Sequence, residues 1–131
     1  MFLAGSASVK EERKGDRLSS LGNKGEGLAC RYLKRNGYQI VKNNYRCRIG
    51  EIDIIAKKDE CLVFVEVKTR LNKEFGEPFE SVTSYKQERL RRLAEIYVAS
   101  QIKEQLPCRF DIVSILFEKG KPVIHHIENA F

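Results

Sequence analysis

The sequence lacks any apolar run long enough to cross a membrane. Its longest are Cys61–Val65 and Ile115–Phe117 with their neighbours, whereas a span needs about 20 residues. Met1–Ser8 is mildly apolar, but no basic stretch precedes it and no sustained hydrophobic stretch follows, so it does not read as a signal peptide. The four cysteines, Cys30, Cys47, Cys61 and Cys108, include no C-x-x-C pair. Such scattering suits neither a zinc site nor the disulfide framework of a small secreted chain. The expectation is a reduced, cytoplasmic protein without a membrane partner, its cysteines packing as small hydrophobes. No repeat and no low-complexity tract appear, and no G-K-[ST] follows Gly22, Gly25 and Gly27 to make a phosphate-cradling loop.

What is present is an ordinary globular composition. The chain has 131 residues, 42% of them hydrophobic and 32% charged, enough for one domain with its own core. Lys and Arg number 24 against 18 Asp and Glu, a net charge of +6 that favours a polyanionic partner. The surplus is uneven. Between Arg31 and Gly50 stand Arg31, Lys34, Arg35, Lys42, Arg46 and Arg48 and no acid, with Tyr32, Tyr38 and Tyr45 interleaved. Two further clusters are Lys68, Arg70 and Lys73, and Lys86, Arg89, Arg91 and Arg92. Clusters of this kind form a phosphate-binding surface. The plain alternative is scattered surface charge with the tyrosines in the core. Nothing resembles a base-reading module, so recognition would run through backbone and shape.

Residues 1–20 mix Gly, Ser and both charges without periodicity and read as a flexible leader. Residues 21–131 read as one domain. A helix is predicted over Leu21–Asn36, with Gly37 as its left-handed C-cap. Tyr38–Val41 reads as an extended entry, and Tyr45–Ile49, Glu51–Lys57 and Cys61–Thr69 as strands. A polar loop over Arg70–Pro78 leads to a helix over Ser81–Gln101. Strands follow at Arg109–Phe117 and Val123–Ile127. The order α-β-β-β-α-β-β makes an α/β sandwich, a mixed central sheet flanked by helices, with a right-handed crossover after Thr69.

The chemistry concentrates in two neighbouring strands. Strict alternation in Glu51–Ile55 puts Glu51, Asp53 and Ile55 on one face and Ile52 and Ile54 on the other. In Val63–Lys68 it puts Phe64, Glu66 and Lys68 opposite three valines. Charged residues are seldom buried unless paired, yet an acid and a base interrupt the most hydrophobic strand in the chain. A hairpin of these strands sets Asp53 beside Glu66 and Lys68. Neighbouring carboxylates repel unless a cation lies between them, and hard oxygen ligands suit Mg²⁺ or Mn²⁺. The alternative is a cross-strand ion pair of Asp53 or Glu66 with Lys68 or Arg70.

Asp53 with Glu66-Val67-Lys68 resembles the PD-(D/E)xK nuclease motif, with Ile52 where the motif's name has Pro. The segments Gly22–Ala29, Asn44–Asp53, Leu62–Arg70 and Ser84–Leu90 together resemble the YraN-type (UPF0102) family of endonuclease-like proteins. This resemblance covers about Leu21 to Ile127. It implies a restriction-endonuclease-like core, similar to that of archaeal Holliday-junction resolvases. By the same resemblance Asp53, Glu66 and the Val67 carbonyl are metal ligands, and Lys68 serves the attacking water. Glu26, on the core-facing side of the first helix, is a further metal ligand, with helix-dipole complementation as its plain alternative. By the same resemblance Gln87 is a supporting catalytic residue, with a solvated helix face as the plain alternative, and Lys86 either snorkels or points into the site. Arg46, Arg48, Arg70, Lys73, Lys86 and Arg89 are expected to contact nucleic acid. The expectation is a Mg²⁺-dependent (or Mn²⁺-dependent) nuclease acting on structured DNA, with a homodimer suited to a two-stranded cut. The rivals are a non-catalytic nucleic-acid-binding module of the same fold and a protein-interaction factor using Val123–Ile127 as an edge strand. His125 and His126 face opposite ways and are given no metal role.

Overall fold

The structure, a computed structural model, describes residues 14–71 and 82–131. Its elements are α1 (Lys14–Arg35), β1 (Gln39–Cys47), β2 (Gly50–Lys58), β3 (Cys61–Arg70), α2 (Ser84–Gln101), β4 (Cys108–Glu118) and β5 (Lys121–Ile127). The order is the predicted α-β-β-β-α-β-β. The sheet runs β1-β2-β3-β4-β5, parallel only between β3 and β4. The crossover through α2 is what makes that one pair parallel. This α/β architecture is consistent with a restriction-endonuclease-like core.

The boundaries differ from expectation in three places, one of them α2, which begins at Ser84 and not at Ser81. Helix α1 begins at Lys14, so residues 14–20, read above as leader, are helical; residues 1–13 lie outside the described part, as does most of the loop predicted over 70–78. Strand β1 is continuous and takes in both the extended entry and the first predicted strand. Both the end of α1 and the start of α2 are capped. Gly37 has a φ of +87°, and the Tyr38 amide reaches back to the Leu33 carbonyl at 3.0 Å, closing α1. Thr83 caps α2, its hydroxyl accepting the Lys86 N–H at 3.2 Å, which satisfies one of the helix's orphan donors.

Each face of the sheet has its own core. Against α1 lie Ala29, Leu33, Ile54, Ala56, Val63, Val65, Val113 and Ile115. Against α2 lie Ile52, Ile55, Leu62, Phe64, Leu90, Leu93, Tyr97 and Ile112. In β3 the alternation holds as read. In β2 it does not: Ile52 shares a face with Ile55, not with Ile54. The slip occurs at Asp53 and is matched across the ladder in β1, where Asn43 pairs with Ile54 and Tyr45 with Ile52. Asn44, between them, has a φ of +51°, a left-handed conformation that Asn tolerates. Both strands change phase together.

Two contacts hold the layers in place. Gly25 sits where α1 crosses β3, and a Cβ there would collide with Thr69 Oγ1 and stand 3.1 Å from Thr69 Cβ. On the same α1 face of the sheet, Asp111 is fully buried and saturated with donors. Arg109 grips both its oxygens at 2.9 Å, and the Asn129 N–H donates at 2.9 Å. His126 Nε2 lies 2.7 Å from Asp111, while its Nδ1 lies 3.2 Å from the Tyr32 hydroxyl. The neutral tautomer protonated at Nε2 satisfies every group: Nε2–H donates to the carboxylate and Tyr32 donates to Nδ1. Arg109 also donates to the Tyr38 hydroxyl at 2.7 Å. His126 is thus packed and His125 exposed, and Tyr32 and Tyr38 belong to this internal network. All four cysteines are free thiols, with Cys108 exposed.

Gly25→Ala should destabilise the protein by about 1–2 kcal/mol, because overpacking of roughly 1–3 kcal/mol outweighs the ~1 kcal/mol that Ala gains in a helix. Chemical denaturation checks it; a stabilised variant would show that α1 can lift off Thr69 freely. For Asp111, burial pushes the carboxyl up, but the bonds from His126, Arg109 and the Asn129 amide outweigh burial and hold it below the usual carboxylate range. A depressed folded-state value gives stability that is present above the unfolded value and lost as pH falls. Wild-type stability should therefore drop below about pH 4. Asp111→Asn should cost roughly 3 kcal/mol at neutral pH by taking from Arg109 its buried counter-charge and should flatten part of that acid slope. An unchanged acid limb in the variant would contradict the assignment.

Candidate functional site

The site is made by a fork in the sheet. β2 and β3 pair from Lys58 and Cys61 up to Ile54 and Val65, and the register ends there. β3 continues beside β4 through Arg70, while β2 continues beside β1 back to Gly50. Between the diverging strands the ladder is replaced by a side chain: the Val67 N–H donates to Asp53 Oδ2 at 2.8 Å. The phase slip at Asp53 turns its carboxylate into this gap.

Glu66 follows strict alternation and faces α2. It is buried, 7% exposed, and held by two lysines. Lys68 Nζ lies 3.4 Å from Glu66 Oε2, and Lys86, from the first turn of α2, forms a short ion pair with the same oxygen. Of the two readings of Lys86, the structure selects the inward one. Gln87 does not reach the acids; its amide donates to the Val82 carbonyl at 3.1 Å, bracing the start of α2.

Glu26 enters from α1. Asn44, with its Nδ2 turned toward them, donates to Glu26 Oε1 at 3.1 Å and to Glu51 Oε2 at 3.2 Å. The left-handed Asn44 therefore both kinks β1 and ties two acids at the rim. Glu51 also accepts from Arg46 Nε at 2.9 Å. Neither Asn44 nor Glu51 carried a role in the sequence reading. The signal was the Asn43-Asn44 pair inside a strand, a residue type that strands avoid and left-handed kinks accept.

The electrostatics follow from crowding. Burial pushes the Asp53 carboxyl up to about 8, the Glu66 and Glu26 charges and a hydrogen bond shared with Glu66 add to it, and the Val67 amide opposes it. In the metal-free protein Asp53 thus keeps its proton near neutral pH. Burial also raises Glu26, with Glu51 adding and Asn44 opposing. Burial pulls Lys68 below the usual lysine range; Glu66 resists this and Lys86 adds to it. Burial works against Lys86 too, but its contact with Glu66 outweighs that and raises it.

The structure thus brings Asp53, Glu66 and Lys68 together, adds Lys86 directly, and places Glu26 within their field. It ties Val67 to Asp53 through its N–H; the sequence reading had named its carbonyl. Hard carboxylate oxygens from three elements have the donor chemistry of a divalent cation site. As they stand, no three Asp, Glu, His or Cys side chains among the described residues converge closely enough to hold a metal ion; the lysines neutralise Glu66 in its place. Around the fork, Arg46, Arg48 and Arg89 are exposed and Arg70 is half-buried, while Lys73 lies outside the described residues. Tyr45, the third interleaved tyrosine, packs edge-on against Tyr97 at 5.1 Å and is not part of a binding face. Among the described residues no helix is long and apolar enough to cross a membrane.

Residues 25–115 match the family described as "Uncharacterised protein family UPF0102". That span contains every acid and lysine of the fork. A relative from Geobacter metallireducens is 48% identical over 112 residues, covering 86% of this chain and 92% of its own. One from Caldicellulosiruptor saccharolyticus is 46% identical over 113 residues, covering 85% and 96%. One from Nocardia farcinica is 47% identical over 120 residues, covering 91% and 94%. All three are named UPF0102 proteins, and nothing in those names states an activity. Similarity of this depth along nearly the full length of each relative leaves one conclusion: the chain belongs to the UPF0102 family.

Proposed function

We propose that this protein is a metal-dependent nuclease that hydrolyses phosphodiester bonds in DNA. One observation carries the reading. The Asp53 and Glu66 carboxyl groups are held side by side where β2 and β3 part, the one by the Val67 N–H and the other by two lysines. A purely structural site has no reason to keep two mutually repelling carboxylates in its sheet when apolar residues would pack there at lower cost.

Glu26, Asp53 and Glu66 would hold Mg²⁺ or Mn²⁺, with the Val67 carbonyl as a backbone ligand. The cation would stabilise charge on the phosphate oxygens and acidify a water. The chain's own residues do the rest. Lys68, whose ammonium lies 3.4 Å from Glu66, donates to the attacking water and orients it. Lys86 binds the same Glu66 oxygen from α2 and steadies that carboxylate. The exposed Arg48 and Arg89 flank the fork and hold backbone phosphates. Arg46 is engaged with Glu51 and orders the rim. A second reading, a nucleic-acid-binding module without catalysis, is favoured by the two lysines that already neutralise Glu66.

Incubation with Mg²⁺ or Mn²⁺ and a panel of single-stranded, duplex, flap and four-way-junction DNAs separates the two. Metal-dependent cutting is expected, and Asp53→Asn and Lys68→Ala should each lower it by at least about 100-fold. Binding without cutting, unchanged in both variants, would establish the module. A stability measurement tests the electrostatics independently. In Asp53→Asn the side-chain amide oxygen can still accept the Val67 N–H, but the position carries no charge. Because Asp53 titrates above its unfolded value of 3.8, its ionisation costs stability progressively between about pH 4 and pH 8. Metal-free Asp53→Asn should therefore match wild type near pH 4 and exceed it in stability near pH 8. It should also lose most of the Mg²⁺-dependent rise in Tm expected for wild type. A variant less stable than wild type at pH 8 would refute the crowding of acids at this position.

A further inference from the structure

The first turn of α2 is built against the usual preference. A helix start favours acidic side chains, yet this turn has none and presents Lys86 and Tyr85. Lys86 points inward to Glu66. Tyr85, its neighbour, is 75% exposed, the most exposed of the large hydrophobic side chains described. One turn on, the exposed Arg89 lays its guanidinium over the Tyr85 ring at 5.6 Å. Arg89 is itself fixed against the β1–β2 turn: its Cδ and Nε lie 3.6 and 3.7 Å from where a Gly50 Cβ would stand. That turn presents Arg48 and Ile49, both exposed. An aromatic face with a stacked guanidinium thus stands beside a turn that carries a second arginine, and Tyr85 is next in sequence to the lysine that grips Glu66.

The geometry points to Tyr85 with Arg89 as a stacking platform for an unpaired nucleobase next to the fork. The inference rests on the nucleic-acid reading of the site and deepens it: the substrate is DNA with unpaired nucleotides beside the bond to be cut, not continuous duplex. A solvent-facing tyrosine held by a guanidinium offers a flat surface that any base can cover. In continuous duplex both faces of each base are already stacked, so the platform has nothing to take up. Arg48 and Arg89 supply the positive charge that a strand's phosphates need on either side of that base.

The test is binding without metal, so that no strand is cut. Fluorescence anisotropy in EDTA would measure affinity for a labelled single-stranded oligonucleotide and for the blunt duplex of the same sequence. Tyr85→Ala should weaken the single strand about tenfold and shift the duplex by less than about twofold, while Tyr85→Phe and Tyr85→Trp keep wild-type affinity for both. The side chain is solvent-facing, so Tm should be unchanged in all three. Equal loss on both DNAs, no loss on either, or a Phe variant that behaves like Ala overturns the platform. Binding to neither DNA at low salt overturns the nucleic-acid reading of the site along with it.

Discussion

The parting of β2 from β3 after Ile54 and Val65 is the constraint on which the rest of this structure depends. Had the ladder continued, Asp53 would point to one face of the sheet as its sequence position suggests, and its backbone would occupy the gap. Instead the slip at Asn44 and Asp53 rotates the carboxylate into the plane of the sheet, where it replaces a backbone acceptor for the Val67 N–H. One hydrogen bond then does two things. It closes an orphan donor that an opened sheet would leave costly, and it fixes the carboxylate beside Glu66. The opening and the acid cluster are one feature.

An opening in a central sheet must be compensated by what packs on it. On one face α1 comes so close to β3 that only Gly25 fits at the crossing, and this closeness lets Glu26, one residue on, reach the fork. On the other face α2 is anchored by Leu90, Leu93 and Tyr97, and its capped first turn brings Lys86 down onto Glu66. On the α1 face of the sheet the saturated Asp111 links α1, β4, β5 and the C-terminal segment. Rigidity there balances strand divergence here. An active site gains from such an arrangement, because side chains held by packing and second bonds keep their positions when charge develops.

Much of this was legible in the sequence, and what was not has a physical reason. β3 keeps strict alternation, so Glu66 and Lys68 could be placed from period alone. Gly37 and the crossover after Thr69 set the C-terminal end of α1 and the one parallel pair by local and topological rules. Asp53 could be found but not aimed: its direction depends on a left-handed Asn in the neighbouring strand, a cross-strand matter that a period cannot carry. Lys86 left two readings open because an inward lysine and a snorkelling one share the same helical phase. The Asp111–His126–Tyr32 network was missed because its members lie up to 94 positions apart and each alone is ordinary. Tyr85 was passed over for the opposite reason. Clustered tyrosines between basic residues drew attention to Tyr32, Tyr38 and Tyr45, all of which turned out to pack internally.

Charge balance explains why so polar a cluster survives in the sheet at all. Isolated, a buried carboxylate would cost several kcal/mol. Here Glu66 meets two ammonium groups, Asp53 keeps a proton, and Glu26 meets the Asn44 amide. Each group is tolerable only because its neighbours are present, so the acids and lysines stand or fall together. Such mutual dependence also makes the cluster responsive. Any ligand that draws the lysines away, as a phosphate would, strips Glu66 of its counter-charge and leaves the acids wanting a cation. Any cation that takes the acids frees the lysines for a phosphate. By linkage each would strengthen the other, which is the behaviour the proposed nuclease reading requires.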